Sequence, residues 1–219
     1  MYIHTTTLTQ HSESDIRAAH PNTSFPDPFI APDEYALVFP TPQPTYNSVT
    51  QRAQETTPVL TAKGHWEQQW TVVSMFTEYT DEAKVLHTVA AQEGASLAVN
   101  RATQIEAKIT DIKAERDKRK FGGVKVGTQW LHTDTYSRTQ WLGMTIMGAN
   151  IPAISWTTMD GSTVTTSQAL AGQVFQGTAK LDAAIFSHAK DLISEVRLAD
   201  NPALVIITSG WPPTFGEPV

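Results

Sequence analysis

No cysteine occurs in the chain. Disulfides, thiolate metal sites and a cysteine nucleophile are therefore excluded, while the redox compartment stays open. Charge is also scarce. Asp, Glu, Lys and Arg make up 17% of the residues and the net charge is −6, so the basic field of a general nucleic-acid binder is missing. No apolar run reaches the length of a membrane span, and no membrane insertion is expected. The opening stretch, Met1–Asp15, is polar and has neither the basic nor the apolar segment of a secretory signal, so synthesis as a soluble protein in a cytoplasm is expected.

Thr, Gln, Ser and Pro fill the space that charge leaves. Hydrophobic residues reach only 40%, which suits small modules or an oligomer better than one large core. Three zones follow from composition, 1–78, 79–121 and 122–219. Together they predict an α+β protein with a small N-terminal β unit, a long central coiled-coil-like helix and a C-terminal module of hairpins and helices.

In the first zone prolines crowd between Pro21 and Pro58 and forbid long helices. Residues 1–34 read as an extended arm with one helical turn at Ser14–Ala19. Apolar and aromatic runs predict three strands, Tyr35–Phe39, Val59–Ala62 and Trp66–Met75.

The second zone has no proline until well past Gly122-Gly123. Thr80-Asp81-Glu82 offers a helix start and the two glycines a stop. Ala91, Ala95, Ala98, Ala102, Ile105, Ile109 and Ile112 alternate by four and three, the seam of a coiled coil. A helix of that extent would measure about 60 Å. The seam predicts an oligomer interface; a helix folded back on its own chain is the competing reading. Gly94 is a weak point of the helix. The basic run Lys113–Lys120 includes Glu115 and Asp117 and reads as cations at a helix C-terminus, not as a phosphate site.

The third zone predicts a hairpin over Val124–His132 around Gly127 and a helix capped by Asp134 that runs to Met147. A second hairpin, Ile154–Met159 and Ser162–Thr166, carries Asp160-Gly161 as a two-residue type I′ turn. Ser167 caps a helix from Gln168 to Leu198 whose apolar face is Leu170, Val174, Leu181, Ile185, Ala189, Leu192 and Val196. A tail with Ile206, Trp211 and Phe215 is expected to lie on a neighbour.

Catalytic and metal signatures do not assemble. His4, His11, His20, His65, His87, His132 and His188 form no close ligand pair. His132 with Asp134 is the most enzyme-like couple, yet its spacing fits a strand end running into a helix cap. Phosphate-cradling glycine loops and a nucleophile elbow are absent from the sequence. No catalytic, cofactor-binding or metal residue is assigned, and no cofactor is expected. Trp130, Trp141, Trp156 and Trp211 could face a sugar, but core packing is the commoner use of tryptophan.

The third zone resembles an uncharacterised domain that ends many proteins encoded beside phage tail-fibre genes. The stretches that carry this are Gly122-Gly123-Val124, Trp130-Leu-His-Thr-Asp134, Ser137-Arg138, Met147-Gly-Ala-Asn150, Trp156-Thr-Thr-Met-Asp-Gly161 and Ser209-Gly-Trp-Pro212. More loosely, His20-Pro-Asn-Thr-Ser-Phe-Pro26, Pro44-Thr-Tyr46 and Trp66-Glu-Gln-Gln-Trp70 resemble a tail-fibre-region segment that often precedes it. The resemblance implies a non-enzymatic virion protein of a bacteriophage tail, made in the host cytoplasm. Its partners would be tail-fibre or baseplate proteins, in a homo-oligomer (a trimer by analogy with phage fibres) or a hetero-oligomer. A fibre-assembly chaperone and a receptor- or glycan-binding head are the alternatives.

Overall fold

The computed structural model describes residues 1–217 as a mixed α+β chain with two compact units, Met1–Val99 and Asn100–Val219. The boundary falls inside the long helix, so that helix is shared between the units and is not a unit of its own.

In the first unit, strands β1 (Tyr2–His4) and β2 (Gln10–His11) come first, then helix α1 (Glu13–Ala19). β3 (Tyr35–Phe39), β4 (Gln51–Leu60) and β5 (Trp66–Ser74) complete a five-stranded sheet of order β2-β1-β3-β5-β4. β3 and β5 match the expected strands Tyr35–Phe39 and Trp66–Met75, whereas β4 starts eight residues before the expected Val59–Ala62 and shares only Val59 and Leu60 with it. The first residues differ: they are not an extended arm but two strands of the sheet, with Ile3 and Val38 buried. α1 starts at a full capping box, in which Ser12 accepts from Asp15 N and the Asp15 carboxylate accepts from Ser12 N. The Gln10 side chain, on edge strand β2, donates to Thr56 O on edge strand β4, so the sheet curls and its edges approach. β4 breaks register between Thr56 and Val59 around the buried Pro58, a device that blunts an edge strand.

Thr80-Asp81-Glu82 does not start the long helix. β6 (Tyr79–Thr80) and β7 (Leu86–His87) form a small hairpin there. The Asp81 carboxylate accepts from Val85 N at 2.9 Å and pairs with His87 Nε2 at 3.0 Å. A residue that can cap a helix can equally close a turn. Helix α2 runs instead over Val89–Arg119, 31 residues, or about 46 Å. Thr88 supplies the cap, its hydroxyl accepting from Ala91 N.

The second unit contains the rest of α2 and β8 (Val124–Val126), β9 (Gln129–Leu131), α3 (Thr135–Met147), β10 (Ser155–Thr157), β11 (Thr163–Thr165) and α4 (Gln168–Leu198). The caps Asp134 and Ser167 are both in place. Gly127, with φ of 61°, turns the first hairpin in two residues. The second hairpin differs from a type I′ turn. Gly161 alone has positive φ, and bonds from Gly161 N to Thr158 O and from Thr158 N to Ser162 O enclose a three-residue loop. That is a turn followed by a glycine bulge. Asp160 is held there by Ser162 N, Ser162 Oγ and Thr158 Oγ1.

Two apolar clusters fill this unit. Ile112 of α2 meets Ile185, Ala189, Leu192 and Val196 of α4 together with Val205 and Trp211. The tail is therefore folded onto its own chain through Trp211, while Ile206 stays exposed. Val124, Leu131, Trp141, Met144, Ala171 and Val174 form the second cluster, and Leu181 packs against both. Gly122-Gly123 does more than stop a helix. A Cβ on Gly122 would strike Thr214, and one on Gly123, which has φ of 92°, would strike Met159.

Candidate binding groove

α3 and α4 pack antiparallel: Arg138 faces Asp182 near the start of α3, and Gly148 just beyond its end lies by Gln168 at the start of α4. Between them opens a cavity of about 410 Å³. Its wall includes the buried Trp141 and Val174, and three half-exposed large side chains, Phe121, Leu142 and Phe175, also line it. Helical spacing explains the lining. Thr135, Arg138, Thr139 and Leu142 recur at three and four along α3, as do Phe175, Thr178, Ala179 and Asp182 along α4.

One end of the groove is polar. The Arg138 guanidinium donates to both Asp182 oxygens and to the carbonyls of Thr133 and Lys120. Four of its five N–H groups are used, so Arg138 is a strut tying α3, α4 and the end of α2 together. Lys120 also lines the cavity, its ammonium 5.5 Å from the Phe186 ring. Trp141 is 2% exposed and packs against Trp156 at 4.4 Å between ring centres. Its indole Nε1 is buried without a hydrogen-bond partner, and among the described residues only Glu55 Oε1 shares that condition.

The seven seam residues divide. Ile109 and Ile112 are buried and Ile105 packs on the α2–α4 cluster, whereas Ala91, Ala95, Ala98 and Ala102 are exposed. The basic run is largely paired within the chain: Arg116 with Asp117, Arg119 with Glu115 and Glu217. Asp134 serves as the α3 cap, accepting from Ser137 N and Ser137 Oγ, and these bonds hold its carboxyl below the usual range. Trp211 is buried, Trp156 is half-buried, and Trp130 is half-buried with an edge contact to Phe215. Among the described residues no cluster of three or more His, Cys, Asp or Glu could hold a metal, and no helix is long and apolar enough to cross a membrane.

Sequence reading did not find the groove. The sequence offered only two hints, Leu142 and Phe175, large apolar residues placed off the helix faces that fill the core.

Residues 103–208 match the family model described as Domain of unknown function (DUF4376). The match spans the C-terminal half of α2, both hairpins, α3, α4 and the whole lining of the groove. No curated protein and no solved structure matches the chain.

Proposed function

We propose that this chain is a structural component of a bacteriophage tail, in the tail-fibre and baseplate region, acting by protein–protein assembly and not by catalysis. The observation that carries the assembly reading is exposed apolar surface on the second unit: Tyr136, Leu142, Ile146 and Phe175 on α3 and α4 are all substantially exposed. Large apolar side chains left in solvent on neighbouring helices mark interaction sites. The tail context rests on the resemblance of the third zone and, more loosely, of the first.

Self-association belongs to the same proposal. The exposed alanines at positions 91, 95, 98 and 102 leave the N-terminal part of α2 open to close approach by a second helix, and a trimer is the expected copy number. The four candidate tryptophans offer no flat exposed platform, which favours assembly over glycan recognition.

Quantitative mass spectrometry of purified virions tests the function. A fixed ratio to tail proteins is expected. Absence from particles together with presence in infected cells would replace the structural reading with that of an assembly chaperone.

A further inference from the structure

We infer that the α3–α4 groove is a docking site for a peptide segment of a partner protein, one that presents a branched or aromatic side chain next to a carboxylate. This rests on the assembly reading and names the chemistry of the partner. Three observations specify the occupant. First, Phe121, Leu142 and Phe175 are 47%, 44% and 48% exposed around one concavity. Its size, about 410 Å³, lies in the range of preformed ligand pockets and takes more than one large side chain. Second, the wall residue Trp141 carries a buried indole N–H with no acceptor. An unmet buried donor costs free energy; this nitrogen is closed off behind the wall, so a peptide carbonyl would reach it only by parting the side chains that cover it.

Third, charge selects the sign of the occupant. Arg138 and Asp182 neutralise each other, and four of the five Arg138 N–H groups are held by fixed partners. Lys120 is the lining cation left to meet an anion; its ammonium lies by the Phe186 ring, and its charge is felt by Asp117. A peptide supplies all three features, an apolar side chain, a carbonyl and a carboxylate, within one or two residues.

The test uses the full chain labelled with ¹⁵N and follows the Trp141 indole resonance. The probes are acetyl-Leu-Glu-amide, acetyl-Phe-Glu-amide and acetyl-Trp-Glu-amide, their Gln counterparts, and dodecanoate. Saturable movement of the Trp141 signal is expected. At least one Glu dipeptide should bind about fivefold more tightly than its Gln counterpart. Lys120→Gln should erase that difference and Lys120→Arg should restore it. Phe175→Ala, at a half-exposed position that leaves the core intact, should weaken every peptide about fivefold or more.

Three results would overturn the inference. One is no response to any dipeptide up to about 10 mM, a limit well above fragment-scale affinity. Another is equal binding of Glu and Gln peptides by the unsubstituted chain. The third is dodecanoate binding more tightly than every peptide, which would assign the groove to an acyl chain. The assembly reading fails separately: a chain found in virions whose groove ignores all the peptides sinks the docking inference alone.

Discussion

Arg138 and Asp182 form a two-pronged ion pair, Nη1 to Oδ2 at 2.6 Å and Nη2 to Oδ1 at 3.0 Å, that joins the first turn of α3 to the middle of α4. The two residues are not equivalent. Removing Asp182 leaves Arg138 with two carbonyl partners, but removing Arg138 strips Thr133 O and Lys120 O as well. Arg138→Ala is therefore expected to lower stability by about 2 kcal/mol and Asp182→Ala by about 1 kcal/mol, since charged hydrogen bonds are worth more than neutral ones but both side chains are partly solvated. Arg138→Lys should not rescue, because one ammonium cannot span the fork. Urea unfolding of the three variants checks the order; equal losses for Arg138→Ala and Asp182→Ala would show that the carbonyl contacts contribute nothing.

The second hairpin should be sensitive to acid through Asp160. Hydrogen bonds from Thr158 Oγ1 and from Ser162 Oγ and N lower its carboxyl from 3.8 to about 2. A folded-state value below the unfolded one gives stabilisation that is complete above the unfolded value and disappears as pH falls through the folded one. The β10–β11 loop is thus expected to loosen between pH 3.8 and about 2, with the whole protein above that window unaffected by this group. Carbon-13 titration of the Asp160 carboxyl should give a midpoint near the lower end of that window. A midpoint at the ordinary value would mean that the loop is open in solution.

Gly94 sits within α2, and a Cβ added there would meet nothing within 4 Å. Gly94→Ala should therefore raise stability by about 1 kcal/mol, the ordinary helix preference of Ala over Gly. Gly123→Ala should do the reverse, because it combines φ of 92° with a clash against Met159. Paired thermal melts decide this. A destabilised Gly94→Ala would show that some partner approaches the helix closely at that position.

Local chemistry was the legible part of the sequence. Ser167, Asp134 and Gly127 each set the backbone by a bond or a dihedral confined to a few neighbours, and α4 with its apolar face follows from periodicity alone. What the sequence hid was non-local. Tyr2–His4 is too short to show a strand pattern, and its place beside β3 depends on residues more than thirty positions away. Thr80-Asp81-Glu82 satisfies the rules for a helix start and also those for a turn; His87 and Val85, which accept the turn geometry, decide between them. The groove was illegible for a related reason. Nothing in the order of residues brings Phe121 beside Phe175, and the Arg138–Asp182 strut spans 44 positions.

The seam of α2 yields the sharpest contrast, because its two halves face different surroundings. Ile112 is fully buried among α4 and tail residues, so Ile112→Ala should cost about 2–4 kcal/mol by transfer and cavity terms together. It should do so at every protein concentration, since the contacts are within one chain. Ala91, Ala95 and Ala98 are exposed, so Ala95→Asp with Ala98→Asp should change the stability of a single chain by less than about 1 kcal/mol. The same pair should dissolve any self-assembly, because two carboxylates per chain would meet across a close helix contact. Light scattering across a dilution series separates the effects. A loss of mass in the double Asp variant with unchanged unfolding midpoint supports association through the N-terminal part of the helix. A monomer in the unsubstituted protein at all concentrations ends the self-association proposal and leaves a different protein as the partner of that surface.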